Sequence, residues 1–365
     1  MRKSSIIKMA AVGVLSVSIF TGCSNKGEEP KNAQASKKLS IEDVTKKAKQ
    51  EGEVNSVGMP DSWANWKGTW EDINSKYGIK HTDTDMSSAE ELAKFESEKG
   101  NATADIGDVG AAFGPLAKEK GLTLPYKTSY WNDVPAWAKD KDGDWMIGYT
   151  GTIAFITDKN NVKNPPKSWK DLENGTYKVA IGDVLKASQA QFGVLAAAFA
   201  NGGDEKNIKP GVDFFEKLAK QGRLQTNDVK LTALEKGEID VAVVWDFNGL
   251  GYRDQVDKTR FDVVIPKEAS VISGYASVIN KYAKHPNAAK LAREYIFSDA
   301  GQANLARGYA RPIRENVKLP EDAKAKLLPN DMYKNVKPVK VAKAWEQSMQ
   351  QLLSLWQEKV LINVK

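Results

Sequence analysis

The strongest constraint on the fold of this chain is a repeated alternation of amphipathic helical segments with short apolar runs, beginning at Leu39. Ser40-Ile-Glu-Asp43 reads as a capping box, with Ile41, Val44 and Ala48 on one helical face behind it. A strand around Val54–Gly58 follows, then the loop Met59-Pro60-Asp61-Ser62-Trp63. Ser88-Ala-Glu-Glu91 reads as a second capping box, and Leu92 and Phe95 carry that helix toward a stop at Gly100. Asp105–Val109 is the next strand. Further on, Lys178–Ile181 is strand-like, Gln189–Asn201 is an Ala-rich helix and Val212–Gln221 is amphipathic. A short helix over Leu231–Gly237 leads into Asp240-Val-Ala-Val-Val-Trp245, an apolar run suited to a strand covered on both faces. Pro286–Phe297 and Trp345–Trp356 are later helices, and no internal repeat is present.

Such an order implies an α/β fold with mixed sheets flanked by helices. In such sheets ligands collect beyond the carboxyl ends of strands, where loops and helix starts gather. The loop Asp61, Ser62, Trp63, then Asp108 with Gly110, Ser188 with Gln189, and Trp245 with Asp246 all fall at such places. They come from both halves of the chain, which points to a cleft between two lobes. Each also has a plainer use: tryptophans pack cores, loop carboxylates cap turns, and serines cap helices. Ser88 and Ser188 each have a partner for that last role, Glu91 and Gln191.

The chain has 365 residues, enough for two domains, with 41% hydrophobic and 27% charged residues, ordinary for a soluble globular protein. Its net charge of +6 owes half its excess to Arg2, Lys3 and Lys8; from residue 23 onward, 50 basic residues face 47 acidic ones. That balance gives no electrostatic basis for nucleic-acid binding. Cys23 is the single cysteine, so neither an intramolecular disulfide nor a cysteine metal cluster is possible, and no cofactor is implied. His81 and His285 are the two histidines. No HExxH, GxSxG or Gly-rich phosphate loop occurs, so a secreted enzyme has few parts to work with. His81 near Asp83 and Asp85 is a conceivable metal set, but no metal site is expected. A scaffold lipoprotein would show repeats or β-rich modules, and neither is seen.

Residues 1–22 read as a secretory signal: a cationic start, then the apolar run Ala10–Phe20, shorter than the ~20 residues a bilayer span needs. Phe20-Thr-Gly-Cys23 resembles the lipobox of bacterial lipoproteins, which implies lipidation of Cys23 and anchoring at the extracytoplasmic face of the cell membrane. Residues 23–38 are polar, with Gly, Pro, Ser and Lys, and read as a tether.

Several segments together resemble the type II periplasmic binding proteins, in the branch that takes iron, thiamine, polyamines or phosphonates. They are Asp105-Ile-Gly-Asp-Val-Gly110, Gly148–Ile156 with Asn164-Pro-Pro-Lys-Ser-Trp-Lys-Asp-Leu172, Gly237–Asp246, Ser273–Asn280 with Lys284–Lys290, and Ser298-Asp-Ala-Gly-Gln302. The resemblance runs in order from about residue 50 to 315. It implies two α/β lobes, 39–150 with 272–365 and 151–271, joined by two crossing strands and closing on a ligand by a hinge. It further implies a non-catalytic, monomeric capture subunit that hands a small molecule to an ABC permease driven by its ATPase.

For the ligand, three classes compete. Ferric-binding members present adjacent tyrosines where this chain has Trp245-Asp246-Phe247-Asn248, with Tyr252 alone further on. Polyamine binders use carboxylates and aromatics, here Asp61, Trp63, Asp108, Trp245 and Asp246. Binders of phosphate esters or phosphonates hold the anion on helix starts and hydroxyls, here Ser88 and Ser188 with Thr150, Gly151 and Thr152 as further donors. Tyr275 and Asn248 complete the expected site, and Arg311, in a segment resembling organophosphate-type members, is placed to pair with a phosphoryl group, as is Arg314. An organic phosphate or phosphonate is the leading expectation.

Overall fold

A computed structural model describes residues 40–364 of the chain; the signal, the tether and Cys23 lie outside the described residues. In chain order the elements are α1 (Ile41–Glu51), β1 (Glu53–Val57), α2 (Trp66–Tyr77), β2 (Lys80–Thr84), α3 (Ser88–Ser97), β3 (Ile106–Gly110) and α4 (Phe113–Glu119). There follow β4 (Trp145–Asp158), α5 (Trp169–Asn174), β5 (Val179–Ala180), α6 (Ser188–Ala200), α7 (Lys209–Lys220), β6 (Leu224–Gln225) and α8 (Leu231–Glu235). Next come β7 (Val241–Trp245), α9 (Asp246–Val256), β8 (Phe261–Val264), β9 (Ser270–Ile279), α10 (Pro286–Phe297) and α11 (Asp299–Arg307). The chain ends with β10 (Arg311–Pro312), α12 (Glu321–Lys324), β11 (Val336–Pro338) and α13 (Ala342–Leu355).

The strands form one mixed sheet in the order β2-β1-β3-β9-β4-β7-β5-β6, with β10 and β8 on β4 and β11 on β9. At one end β1 runs parallel to β2 and β3; at the other β7, β5 and β6 are parallel. Two antiparallel strands, β4 and β9, join these ends. Residues 145–152 of β4 pair with β9, while 153–158 pair with β7 and β8. The expected α/β class with mixed sheets is the one found.

Fourteen residues of β4 can stay extended because Thr and Ile dominate its middle, and all but Trp145 are buried. Gly151 is required there: a Cβ would lie 2.4 Å from the Phe247 ring. Around the β5–β7 end, fully buried Trp169 meets Phe155, Phe214 and Phe215 edge-on. Around the β1–β3 end, Trp66 stacks on Trp70 and Trp70 on His81. Arg293 on α10 is wholly buried, its guanidinium donating to the carbonyls of Gly143 and Ser277 at 2.9 and 2.8 Å. It thereby ties the long loop before β4 to β9.

Two elements carry no local signal of their placement. The helix α2 follows Ala64 and Asn65, both at positive φ and neither a side-chain cap, so no start signal marks it in the sequence. The last helix, α13, and the turns beyond it pack on α6 and α7. Trp345 lies 5.2 Å from Phe192, Trp356 lies 5.7 Å from Phe215, and Ser348 Oγ donates to the Glu205 carbonyl at 2.8 Å. The aromatic spacing that defines α13 says that it is amphipathic, and nothing in it says which neighbour supplies the apolar face.

Candidate functional site

A cavity of about 310 Å³ opens where the parallel strands of both sheet ends finish. The loop after β1 supplies Pro60, Ser62 and Trp63, the turn after β2 supplies Asp85 to Ser88, and β3 supplies Asp108. From the other end come Gly182 with Ala187 to Ala190 after β5, Asp228 to Thr232 after β6, and Tyr252 after β7. Tyr275 of β9 forms part of the wall between them.

Three helix starts meet here. The N-cap of α3 is Ser87, whose amide is taken by Glu90 at 3.1 Å, so Ser88 is not the cap. The Ser88 hydroxyl oxygen instead accepts from Gly110 N–H at 3.0 Å. Likewise α6 begins after Ala187, which has no capping oxygen, and Gln191 donates to the Val184 carbonyl at 3.0 Å. The first amides of α6 are therefore free of any side-chain cap and sit on the cavity wall, together with the Ser188 hydroxyl. The third start, at α8, brings Lys230, Leu231 and Thr232.

The two ends touch at this place. Lys186 pairs with Glu90 at 3.1 Å, and a Cβ on Gly110 would fall 2.0 Å from Ser188 Oγ. Glycine at 110 is what lets β3 and α6 approach.

Behind Trp63 runs a buried chain of donors. Trp63 Nε1 donates to Tyr149 OH at 2.9 Å, and Tyr149 OH donates to Asp108 Oδ2 at 2.5 Å. Asp108 N–H in turn donates to Glu91 Oε2 at 3.1 Å. Burial pushes the Asp108 carboxyl up to about 8, against which the Tyr149 hydrogen bond is the smaller effect. Burial also holds Glu91 well above the carboxylate range, and the neighbouring Asp108 charge adds to it. Burial thus disfavours the ionised form of both carboxyls in this wall. The remaining acidic and basic lining side chains, Asp85, Asp228 and Lys230, are exposed at the rim.

Of the anticipated residues, Ser62, Trp63, Ser88, Asp108, Ser188, Gln189 and Tyr275 line this cavity together. The others do not. Trp245 is fully buried and supports the wall from behind: its Nε1 donates to Tyr275 OH at 3.1 Å, and its N–H donates to Gln189 Oε1 at 2.9 Å. Asn248 Nδ2 donates to the same Gln189 oxygen at 2.8 Å. Asp246 is the first residue of α9 and is consumed by Thr152 N–H, Phe247 N–H and Tyr333 OH, at 2.9, 2.9 and 2.6 Å. Gly151 and Thr152 are buried in β4 beside it. Asp61 lines a shallower surface pocket with Trp70 and His81, and Thr150 faces a different cavity. Arg311 lies over the Tyr333 ring and donates to the Leu328 carbonyl at 2.8 Å. Arg314 is buried between Asp133 and Asp299. Neither arginine reaches the cavity, because β10 pairs at Tyr149–Thr150 and turns their side chains toward neighbouring loops.

Several lining residues escaped the sequence reading. Lys230 to Thr232 follow a strand and start a helix, the same signal that marks Ser188, and were legible on that ground. Glu91 was not: it was read as a cap partner, one residue out of register, and its burial depends on the fold of β3. Tyr252 lies on α9, a helix whose start at Asp246 carries no apolar period.

His81 is engaged within the protein. Its Nε2 is 2.8 Å from Ser56 Oγ, its ring stacks on Trp70 at 3.8 Å, and burial lowers it to about 4. Asp140, Asp142 and Asp144 form a close acidic group, and Lys118 Nζ already sits among them at 2.8, 2.8 and 3.0 Å.

Comparison with known proteins adds context to this geometry. The sequence model of a family described as bacterial extracellular solute-binding protein matches residues 101–336. The sulfate-binding protein of Escherichia coli is 27% identical over 171 residues, which is 45% of this chain and 52% of that protein. A probable ABC transporter periplasmic-binding protein of Sinorhizobium fredii is 28% identical over 172 residues, 44% of this chain and 47% of that one. The chain thus spans about half the length of these curated relatives. Among solved structures, the periplasmic binding protein AfuA of Actinobacillus pleuropneumoniae with fructose-6-phosphate bound superposes with a TM-score of 0.69. That match is 18% identical and covers 84% of this chain and 98% of the other. A periplasmic thiamin binding protein gives 0.68 at 18% identity, covering 84% and 96%. Iron-bound HitA of Pseudomonas aeruginosa gives 0.64 at 18% identity, covering 85% and 99%. At these identities the structures speak for the fold alone.

Proposed function

The chain belongs to the bacterial extracellular solute-binding proteins, and on that premise we propose that its cavity captures a small organic phosphate or phosphonate for an ABC importer. The observation that carries this reading is the uncapped start of α6 facing the start of α3 across the cavity, with Ser88 and Ser188 at the two helix ends. A helix start presents free N–H groups and a partial positive charge, which suit an anion. Burial raises the pKa of both Glu91 and Asp108, which lessens the repulsion that two ionised carboxylates would exert on such a group. Trp63, Tyr252 and Tyr275 offer flat surfaces for the organic part. The bound sugar phosphate of one structural neighbour and the sulfate-binding names of the relatives agree with an anionic group.

A second reading rests on Asp85, Asp228 and the Tyr252 ring, which together suit an ammonium group, as in a polyamine. Lys230 stands beside these acids and weakens that case. In this proposal the mature protein works outside the cytoplasm, lipid-anchored through Cys23 as the lipobox-like segment implies, as a monomer that docks on a permease. No helix among the described residues is long and apolar enough to cross a membrane.

A thermal-shift panel separates the classes, since a ligand that binds only the folded form raises Tm by mass action. Fructose 6-phosphate and a simple alkylphosphonate are expected to raise Tm, while putrescine and ferric citrate leave it unchanged. A shift with putrescine alone overturns the anion in favour of the amine.

A further inference from the structure

Gln189 is the second residue of α6, and its side-chain amide is turned by neighbours from another part of the chain. Trp245 N–H, at the end of β7, donates to Gln189 Oε1 at 2.9 Å. Asn248 Nδ2, in the first turn of α9, donates to the same oxygen at 2.8 Å. A backbone N–H can only donate, so the atom that faces Trp245 is the oxygen of the carboxamide and not its nitrogen. Asn248 must then turn its own amino group the same way, because its Oδ1 would otherwise face a second acceptor. It does so although Oδ1 is left buried, with no partner among the described residues. An unpaired buried acceptor is costly, and what it secures here is a single orientation of Gln189.

With Oε1 taken twice, Nε2 lies on the other branch of the amide. It makes no hydrogen bond among the described residues and keeps open surface, on a half-buried side chain that lines the cavity. An amide nitrogen carries two N–H donors and no acceptor. The facing wall is built on the same logic. Ser88 Oγ accepts from Gly110 N–H at 3.0 Å, which leaves the hydroxyl proton to be donated. On each wall a backbone N–H fills an acceptor from behind, and a donor remains in front.

We propose that Gln189 is a specificity-determining residue of this cavity, reading a ligand oxygen that bears no proton, and that Asn248 is its positioning residue. Asn248 is 1% exposed and does not line the cavity, so it acts through the Gln189 amide. The proposal rests on the anion reading of the cavity and narrows it: at the α6 side the ligand offers acceptors alone. An ammonium group placed there would set N–H against N–H and be rejected.

Calorimetric titration of the intact mature chain with fructose 6-phosphate tests both roles. Gln189→Met keeps the length and loses the donor, and is expected to weaken binding about tenfold, the size of one hydrogen bond to a charged group. Gln189→Glu keeps the shape and the acceptor for Trp245 and Asn248 but turns a second oxygen toward the ligand. It is expected to weaken binding further, about hundredfold, through like-charge contact. Packing alone predicts the reverse order, since glutamate is the closer match in shape. Asn248→Ala is expected to weaken binding about threefold in the unaltered chain and to add nothing in the Gln189→Met background. The two Gln189 variants, at a half-buried position, carry the test if the buried Asn248→Ala does not fold. A milder loss for Gln189→Glu than for Gln189→Met, or an equal Asn248→Ala loss in both backgrounds, overturns the proposal while the anion reading stands. No binding by the unaltered chain overturns the anion reading, and the proposal falls with it.

Discussion

The cavity at the strand ends, the front, shares β4 and β9 with a second cavity of about 710 Å³ behind them, the rear, lined by Trp137, Trp145, Phe192 and Trp345, and the two differ in almost everything else. At the front, polar groups are connected: Trp63, Tyr149, Asp108 and Glu91 form one buried run, and Gln189 is fixed by Trp245 and Asn248. At the rear the rings pack without such ties, and Trp345 Nε1 has no acceptor among the described residues. The contrast teaches how a pleated strand serves two environments at once. Neighbouring residues point to opposite faces, so Tyr149 and Thr150, or Gly274 and Tyr275, belong to different sites while sharing a backbone. A front wall with fixed groups suits recognition of a defined polar ligand. An apolar rear wall suits shape and hinge position.

Substitutions sharpen that comparison. Trp245 stands between the two spaces, 5.5 Å from the Phe192 ring of the rear wall and bonded to Tyr275 of the front. Trp245→Ala is expected to cost about 3–5 kcal/mol of stability, as a fully buried tryptophan does, read by urea unfolding. Lost ligand affinity at unchanged stability would instead make it a front-wall contact.

The front wall should respond to pH. Asp108 is held up to about 8 in the folded state against 3.8 as its reference, so the folded protein binds this proton more tightly than the unfolded chain. The stability it contributes is present at low pH and falls as pH rises from about 4 through about 8, by at most about 1.4 kcal/mol per unit. Asp108→Asn is expected to flatten that fall between pH 5 and 7. An unchanged slope would mean that the proton sits elsewhere, for which Glu91 is the neighbour to test.

Gly110→Ala is expected to prop the front open against Ser188. Overpacking of about 1–3 kcal/mol there corresponds to roughly fivefold to 150-fold weaker front binding by calorimetry. The smallest effect is expected at Asp61, which lies in a separate surface pocket. Asp61→Ala should change front affinity by less than about twofold, as surface substitutions remote from a site do.

Much of this was legible in the sequence, and the limits have physical causes. Apolar period and helix stops placed β1, β3 and β7 and the helices α1, α3, α6, α7 and α10 within a few residues, and the rule that ligands gather at strand ends picked out Ser62, Trp63, Asp108, Ser188 and Gln189 of the lining. The misses share a cause. Trp245, Asp246 and Arg311 have the chemistry of a binding site, but local sequence does not say whether a neighbouring group already consumes it. Thr152 and Phe247 amides take Asp246, and Tyr333 with the Leu328 carbonyl takes Arg311. Conversely, Ser88 and Ser188 read as caps in sequence and are released from capping by neighbours one position away.

Calorimetric titration with fructose 6-phosphate of the unaltered chain, Ser88→Ala and Ser188→Ala compares the two helix starts directly. Each substitution removes a hydroxyl from a different end of the sheet, and each is expected to weaken one-to-one binding by about tenfold or more, the size of one hydrogen bond to a charged group. If either wall can lose its serine with no change in affinity, the ligand is not gripped by both ends.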